Sequence, residues 1–128
     1  MKIEAKTLEE AFRSLVFAPS RTPESKDLDA AFCELSPYRE GAIFLGHWAG
    51  RSEWEIHRQG DEVVMVIDGA TTLTMLIDDE EIPHPLQAGQ LIVVPKGVWH
   101  RFETPDGVKV MTVTPQPTEH SVTRPGPV

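Results

Sequence analysis

Beyond residue 40 the chain is broken by glycine, proline or Asp-Gly every few residues, and that spacing limits what it can become. The pieces between the breaks, residues 42–48, 53–57, 62–67, 71–77, 91–94, 100–103 and 108–114, are rich in β-branched and aromatic side chains. Such runs are too short for stable helices, whereas roughly four to eight residues make an ordinary strand. The breaks fall at Gly50, Gly60, Asp68-Gly69, Pro83 with Pro85, Ala88-Gly89, Pro95 with Gly97, and Asp106-Gly107. Many short strands at this spacing predict an all-β sandwich or barrel. Asp68-Gly69 and Asp106-Gly107 predict tight hairpins, since both residue types tolerate the positive φ of a type I′ turn.

The strand at 62–67 constrains its surroundings. One face reads Glu62, Val64, Val66 and the other Val63, Met65, Ile67. A strand with one face in water alternates apolar with polar residues. One face is therefore expected to line the barrel, and the other to be covered by the N-terminal segment, a second sheet or a partner subunit. The excess of two-faced strands, together with open sheet edges, predicts a homodimer.

Helical periodicity is confined to the start. Leu8, Ala11, Phe12, Leu15 and Val16 form an apolar stripe, and Thr7 with Glu10 reads as a capping box. A second short helix is predicted through Leu28, Ala31, Phe32 and Leu35, ended by Pro37. Residues 1–40 are thus expected as a helical segment packed on a barrel of residues 41–115. Residues 116–128, with Pro117, Pro125, Gly126 and Pro127, are expected as an extended tail. A length of 128 residues fits one domain.

The net charge of −8, from 12 Lys+Arg against 20 Asp+Glu, argues against nucleic acid, which needs a clustered basic surface. The longest apolar runs, 63–67 and 91–94, fall far short of the roughly 20 residues of a membrane span. Glu4, Glu9 and Glu10 occupy the first residues without the apolar stretch of a secretory signal, so a cytoplasmic protein is expected. Cys33, the lone cysteine, reads as a small core residue.

Two clusters can carry chemistry. In the first, Glu55-Ile56-His57 is followed, across Arg58-Gln59-Gly60-Asp61, by Glu62, and Gly69 closes that strand. The two-residue period of a strand puts Glu55 and His57 on one face, and the reversal lets Glu62 lie beside His57. In the second, Gly89 precedes Pro95-Lys96-Gly97-Val98-Trp99-His100, a tight turn that delivers His100 to the start of a strand.

These clusters resemble the paired motifs of the cupin superfamily. The first motif reads Gly, five residues, His-x-His, three or four residues, Glu, six residues, Gly. It is matched at His57, Glu62 and Gly69, but Glu55 stands at the first histidine, and the leading glycine, Gly50, is one residue late. The second reads Gly, five residues, Pro-x-Gly, two residues, His, three residues, Asn. Gly89, Pro95, Gly97 and His100 are in register, and Thr104 replaces the asparagine. The resemblance spans residues 50–104. It implies a double-stranded β-helix, the cupin or jelly-roll barrel, with His57, Glu62 and His100 pointing inward to hold one divalent metal ion.

Imidazole and carboxylate suit Fe, Mn, Zn or Ni, and two histidines with one carboxylate is the facial set of non-haem iron sites. Glu55 is the candidate catalytic residue, as general base or fourth ligand, unless it pairs with Arg51 or Arg58. Glu62 has Arg58 and Arg101 as alternative partners, and the histidines could bind an organic ligand without metal. The expected function is a small metal-binding cupin acting on a small organic metabolite by oxygenase-, isomerase- or lyase-type chemistry. The alternatives are a non-catalytic binding module and a metal-free isomerase or epimerase.

Of the remaining candidates, Trp48, Trp54 and Trp99 read as core or interface aromatics, with Trp99 best placed to meet a ligand. His47 reads as structural, His84 as exposed in an acidic loop with Asp78-Asp79-Glu80-Glu81, and His120 has no assigned role. No arginine pair or phosphate-cradling loop marks a substrate class.

Overall fold

A computed structural model describes residues 1–126 of the chain. A short helix, α1 (Leu8–Arg13), precedes nine strands: β1 (Ala18–Arg21), β2 (Phe32–Tyr38), β3 (Gly41–Arg51), β4 (Trp54–His57), β5 (Glu62–Ile77), β6 (Glu80–Gln87), β7 (Leu91–Val94), β8 (His100–Pro115) and β9 (Thr118–Ser121). The architecture is the jelly-roll expected from the motifs. β8 pairs with β3, β4 and β5, so it joins both halves of the barrel. β6 and β7 add to β5, β2 and β1 add to β3, and β9 adds to β4. Among the described residues no helix is long and apolar enough to cross a membrane.

Neither expected Asp-Gly hairpin forms. Residues 62–67 and 71–77 belong to one long strand, β5, and 100–103 and 108–114 belong to another, β8. Both strands bend where Gly69 (φ +78°) and Gly107 (φ +106°) meet, so the positive φ that suggests a turn serves a corner instead. A Cβ on Gly69 would lie 2.4 Å from the Gly107 carbonyl oxygen. The pairing slips at this corner. Val64 and Val66 point into the core before it and Leu73 and Met75 after it, so the inward parity changes from even to odd. β8 keeps even parity throughout, with Phe102, Val108 and Val110 buried. An unpaired residue in one strand is what a bulge supplies, and here it keeps both halves of β5 facing the same core. Thr104, at the position where the motif has asparagine, is fully buried and donates to Ala70 O at 2.7 Å beside the corner.

A hairpin forms instead at Asp78-Asp79, with φ of +53° and +62° between the paired residues Ile77 and Glu80. The acidic run is therefore a turn plus the start of β6 rather than a free loop. β6 pairs only with β5, and such an edge strand accommodates Pro83 and Pro85. His84 between them is half-buried, its Nδ1 3.3 Å from Leu73 O, not exposed as expected.

The N-terminal segment departs most from expectation. α1 starts after Thr7, but the Thr7 hydroxyl makes no capping bond, and Phe12 is its one buried residue. The second helix is absent: Asp29–Ala31 makes a single 3-10 turn, and Phe32 to Tyr38 pair with β3 as a strand. Leu28, Ala31, Phe32 and Leu35 have helical spacing, yet the neighbouring β3 edge offers backbone partners along Phe32–Tyr38, and that decides the conformation.

Gly69→Ala should lower unfolding stability by about 2 kcal/mol or more, since left-handed backbone costs an L-residue about 1–2 kcal/mol before the overlap with Gly107 is counted. Urea titration checks this; a loss below about 0.5 kcal/mol would mean the corner relaxes freely.

Candidate metal centre

The site is built where β4, β5 and β8 meet. Glu62 opens β5 on the inward face that continues to Val64 and Val66, and His100 opens β8 opposite Glu55 of β4. His57 closes β4, paired with Thr118 of β9. The Pro95-Lys96-Gly97 turn is tied to the first motif at two points. Gly97 N–H donates to His57 O at 2.9 Å, and Lys96 N–H donates to the Asp61 carboxylate at 2.8 Å. Gly97 itself has φ +76°, which a glycine adopts without strain. The two motifs are thereby locked together by one backbone bond and by the Asp61 side chain.

The three predicted ligands converge. One donor atom from each of His57, Glu62 and His100 lies within 4.8 Å of the others, and all three residues are buried. Glu62 Oε1 is 3.3 Å from His57 Nε2 and 3.0 Å from His100 Nε2. The outer atoms of each ligand are held. His100 Nδ1–H donates to Val98 O at 2.9 Å, His57 Nδ1 meets Thr118 Oγ1 at 2.9 Å, and Thr114 Oγ1 donates to Glu62 Oε2 at 2.6 Å. Thr112 Oγ1 backs Thr114 Oγ1 at 2.7 Å.

With Nδ1 of His100 carrying its proton, neutral imidazole presents an Nε2 lone pair inward. A Thr118 hydroxyl accepting from His57 Nδ1 does the same for His57. His57 Nε2, His100 Nε2 and Glu62 Oε1 are then buried acceptors without a donor. Each such orphan costs about 1–3 kcal/mol, and a cation between them, a proton or a metal, removes the cost. These residues fit a divalent metal, and their outer hydrogen bonds are of the kind that orient metal ligands.

Glu55 is not part of that trio. It lines the adjoining cavity, of about 570 Å³, with its side chain 20% exposed. Burial raises its pKa above the usual carboxylate range, and the Glu62 charge adds to the effect. Among the described residues none of the expected arginine partners, Arg51, Arg58 and Arg101, pairs with Glu55 or Glu62. Arg58 bonds Glu119, and Arg101 pairs with Glu81 and Glu103. Glu55 instead has His120 Nδ1 4.0 Å away.

Two cavity residues escaped the sequence reading. His120 stands opposite Glu55 on β9 and is 2.9 Å from Glu53 through Nδ1; Thr118 and His120 share a strand face, but the surrounding prolines obscured it. Arg21, on the brief β1, lines the same cavity. The tryptophan on the cavity wall is Trp48, not Trp99. Trp54 is buried beneath the Arg101 guanidinium, and His47 packs on Phe17, away from the cavity. Cys33 is half-buried in β2.

The trio also sets a pH response. Burial alone would raise the Glu62 pKa, but hydrogen bonding to His100 and His57 outweighs it and holds the carboxyl at about 2. For His100 burial works downward, and the Glu62 hydrogen bond and charge overcome it, so its pKa is raised. Glu62's contribution to stability is present above its ordinary 4.5 and is lost as pH falls toward about 2. His100's is complete below its ordinary 6.5 and is lost as pH rises through its raised value. Chelated protein should therefore melt higher at about pH 5.5 than at about pH 8.5, and His100→Gln should flatten that difference. A parent and variant with the same slope would remove the pair from the account.

Comparison with known proteins identifies the family. The Cupin_2 family, described as a cupin domain, matches residues 47–124. Acireductone dioxygenase of Sulfurihydrogenibium sp. (strain YO3AOP1) is 37% identical over 59 residues, covering 46% of this chain and 33% of that protein. Protein SchB of Streptomyces halstedii is 29% identical over 92 residues, covering 72% of this chain and 58% of that protein. The chain thus spans only part of the length of both relatives. The crystal structure of a cupin-2 domain containing protein from Shewanella frigidimarina NCIMB 400 aligns with a TM-score of 0.61 and 22% identity, over 91% of this chain and 94% of that one. The family match takes in His57, Glu62 and His100 and most of the barrel, and the chain belongs to the cupin family.

Proposed function

We propose that this cupin is a metal-dependent enzyme that holds one divalent ion, Fe, Mn, Zn or Ni, through His57, Glu62 and His100 and acts on a small organic molecule in the adjoining cavity. The observation that carries this reading is the buried convergence of three acceptor atoms that have no donor. A bound divalent ion supplies Lewis acidity and, where redox-active, chemistry with dioxygen. The similarity to an acireductone dioxygenase favours oxygenase-type chemistry over isomerase or lyase types.

The protein's own groups divide the remaining work. Val98, Thr118 and Thr114 fix the ligand orientations, so the site is formed in advance. Phe44, Trp48 and Phe102 wall the cavity and keep water from a bound molecule. Glu55 faces that space without belonging to the trio, and its raised pKa suits a general base rather than a fourth ligand.

The homodimer is a proposal with a specific surface. Leu91 and Val93 of β7 are 54% and 48% exposed, and half-buried Val63, Met65, Met111 and Val113 continue the same outward face across β5 and β8. That face is what a second copy would cover.

Metal loading followed by elemental analysis tests the centre. One equivalent is expected in the parent, with at least tenfold weaker binding in His57→Ala and His100→Ala, about 1.4 kcal/mol each. Glu55→Gln should keep the metal and lose turnover of a substrate; lost metal would make Glu55 a ligand. Equal metal in parent and histidine variants would sink this assignment of the ligands, and a parent that holds no metal would favour a metal-free binding module. Light scattering should give twice 14.3 kDa for the parent and 14.3 kDa for Val93→Asp. A monomeric parent would refute the dimer.

A further inference from the structure

Arg21 is a cation that the metal centre does not need. Its side chain is only 11% exposed, and its guanidinium carbon lies 4.4 Å from the Trp48 ring centroid and 5.3 Å from that of Phe32. Its one ion pair among the described residues is with Glu53 at 3.8 Å, longer than a hydrogen bond. Glu53 is already engaged by His120 Nδ1 at 2.9 Å. Burial lowers the Arg21 pKa despite the opposing fields of Glu55 and Glu53, so neither acid offsets the loss of water around the guanidinium.

The position is built into the backbone. β1 lies parallel to β3 with Arg21 opposite Gly50, whose φ is +119°. A Cβ on Gly50 would come within 2.0 Å of the Arg21 carbonyl oxygen. The glycine one residue late in the motif is thus the residue that lets β1 approach and place Arg21 in the cavity wall. The same cavity carries Glu62 of the trio and the rings of Phe32, Phe44, Trp48 and Phe102. A guanidinium framed by ring faces presents its planar fork of donors in a fixed direction, which matches a carboxylate bidentately. The rings beside it suit a flat apolar body.

We propose that Arg21 is the anion anchor of this cavity, and that the cavity takes a small planar carboxylate, an aromatic or conjugated monoacid whose body lies along the aromatic wall. This rests on the reading of the cavity as the substrate site, and it names the class of substrate. Arg21 is a binding and specificity residue: it holds one end of the molecule and so fixes which end meets the metal centre.

Benzoate and its neutral isostere benzamide test the assignment by calorimetry on chelated and on zinc-loaded protein. Chelated parent should bind benzoate at least tenfold more tightly than benzamide, which excludes a carboxylate held only by zinc. Arg21→Gln should lose that preference, Arg21→Lys should keep part of it, and both should hold zinc as the parent does. A preference for benzoate that survives in Arg21→Gln would overturn the proposal. So would equal binding of the two probes by the parent, or no benzoate binding by the parent at about 10 mM. The comparison of probes on the parent stands even where a variant fails to fold. A parent that binds no zinc but prefers benzoate through Arg21 would sink the metal reading and leave the anchor standing.

Discussion

The antiparallel pairing of β5 with β8 is the constraint on which the barrel and its site depend. Each strand is 16 residues long, and each crosses from one half of the barrel to the other. Without the slip at Gly69, the period of two would turn Leu73 and Met75 outward once Val64 and Val66 pointed inward. The same parity places Glu62, Thr112 and Thr114 on the inner wall. The position of the carboxylate is thus a consequence of sheet register, and the register is a consequence of two facing glycines.

The electrostatics of the centre follow from that placement. Three acceptors brought together away from water destabilise a fold unless a cation joins them. Every outer hydrogen bond in the site spends a donor on the far side of a ligand, which leaves the near side bare. Arg21 presents a related imbalance on another part of the wall, a buried positive charge whose acids are distant or already engaged.

Much of this was legible in the residues. His57, Glu62 and His100 could be placed together because a short turn and a Pro-x-Gly turn both act over a few residues, where sequence spacing and spatial position coincide. Most barrel strands were readable for the same reason, but β6 was not, because Pro83 and Pro85 read as a break. Asp68-Gly69 and Asp106-Gly107 misled because positive φ identifies a conformation without saying whether the chain reverses or merely bends. The segment Phe32–Tyr38 carries helix-compatible spacing, and only the β3 edge beside it makes it a strand. Arg21 and His120 were invisible because their value lies in pairings across 29 and 65 residues, Arg21 with Gly50 and His120 with Glu55, that no local pattern announces.

β9 gives the site an order of assembly. His57 is oriented by Thr118, 61 residues further along the chain. On the ribosome, β4, β5 and the second motif are all synthesised before the residue that sets the His57 ring. Orientation of the His57 ring therefore depends on β9, and the strand that follows all three residues in the chain is the one that completes their arrangement.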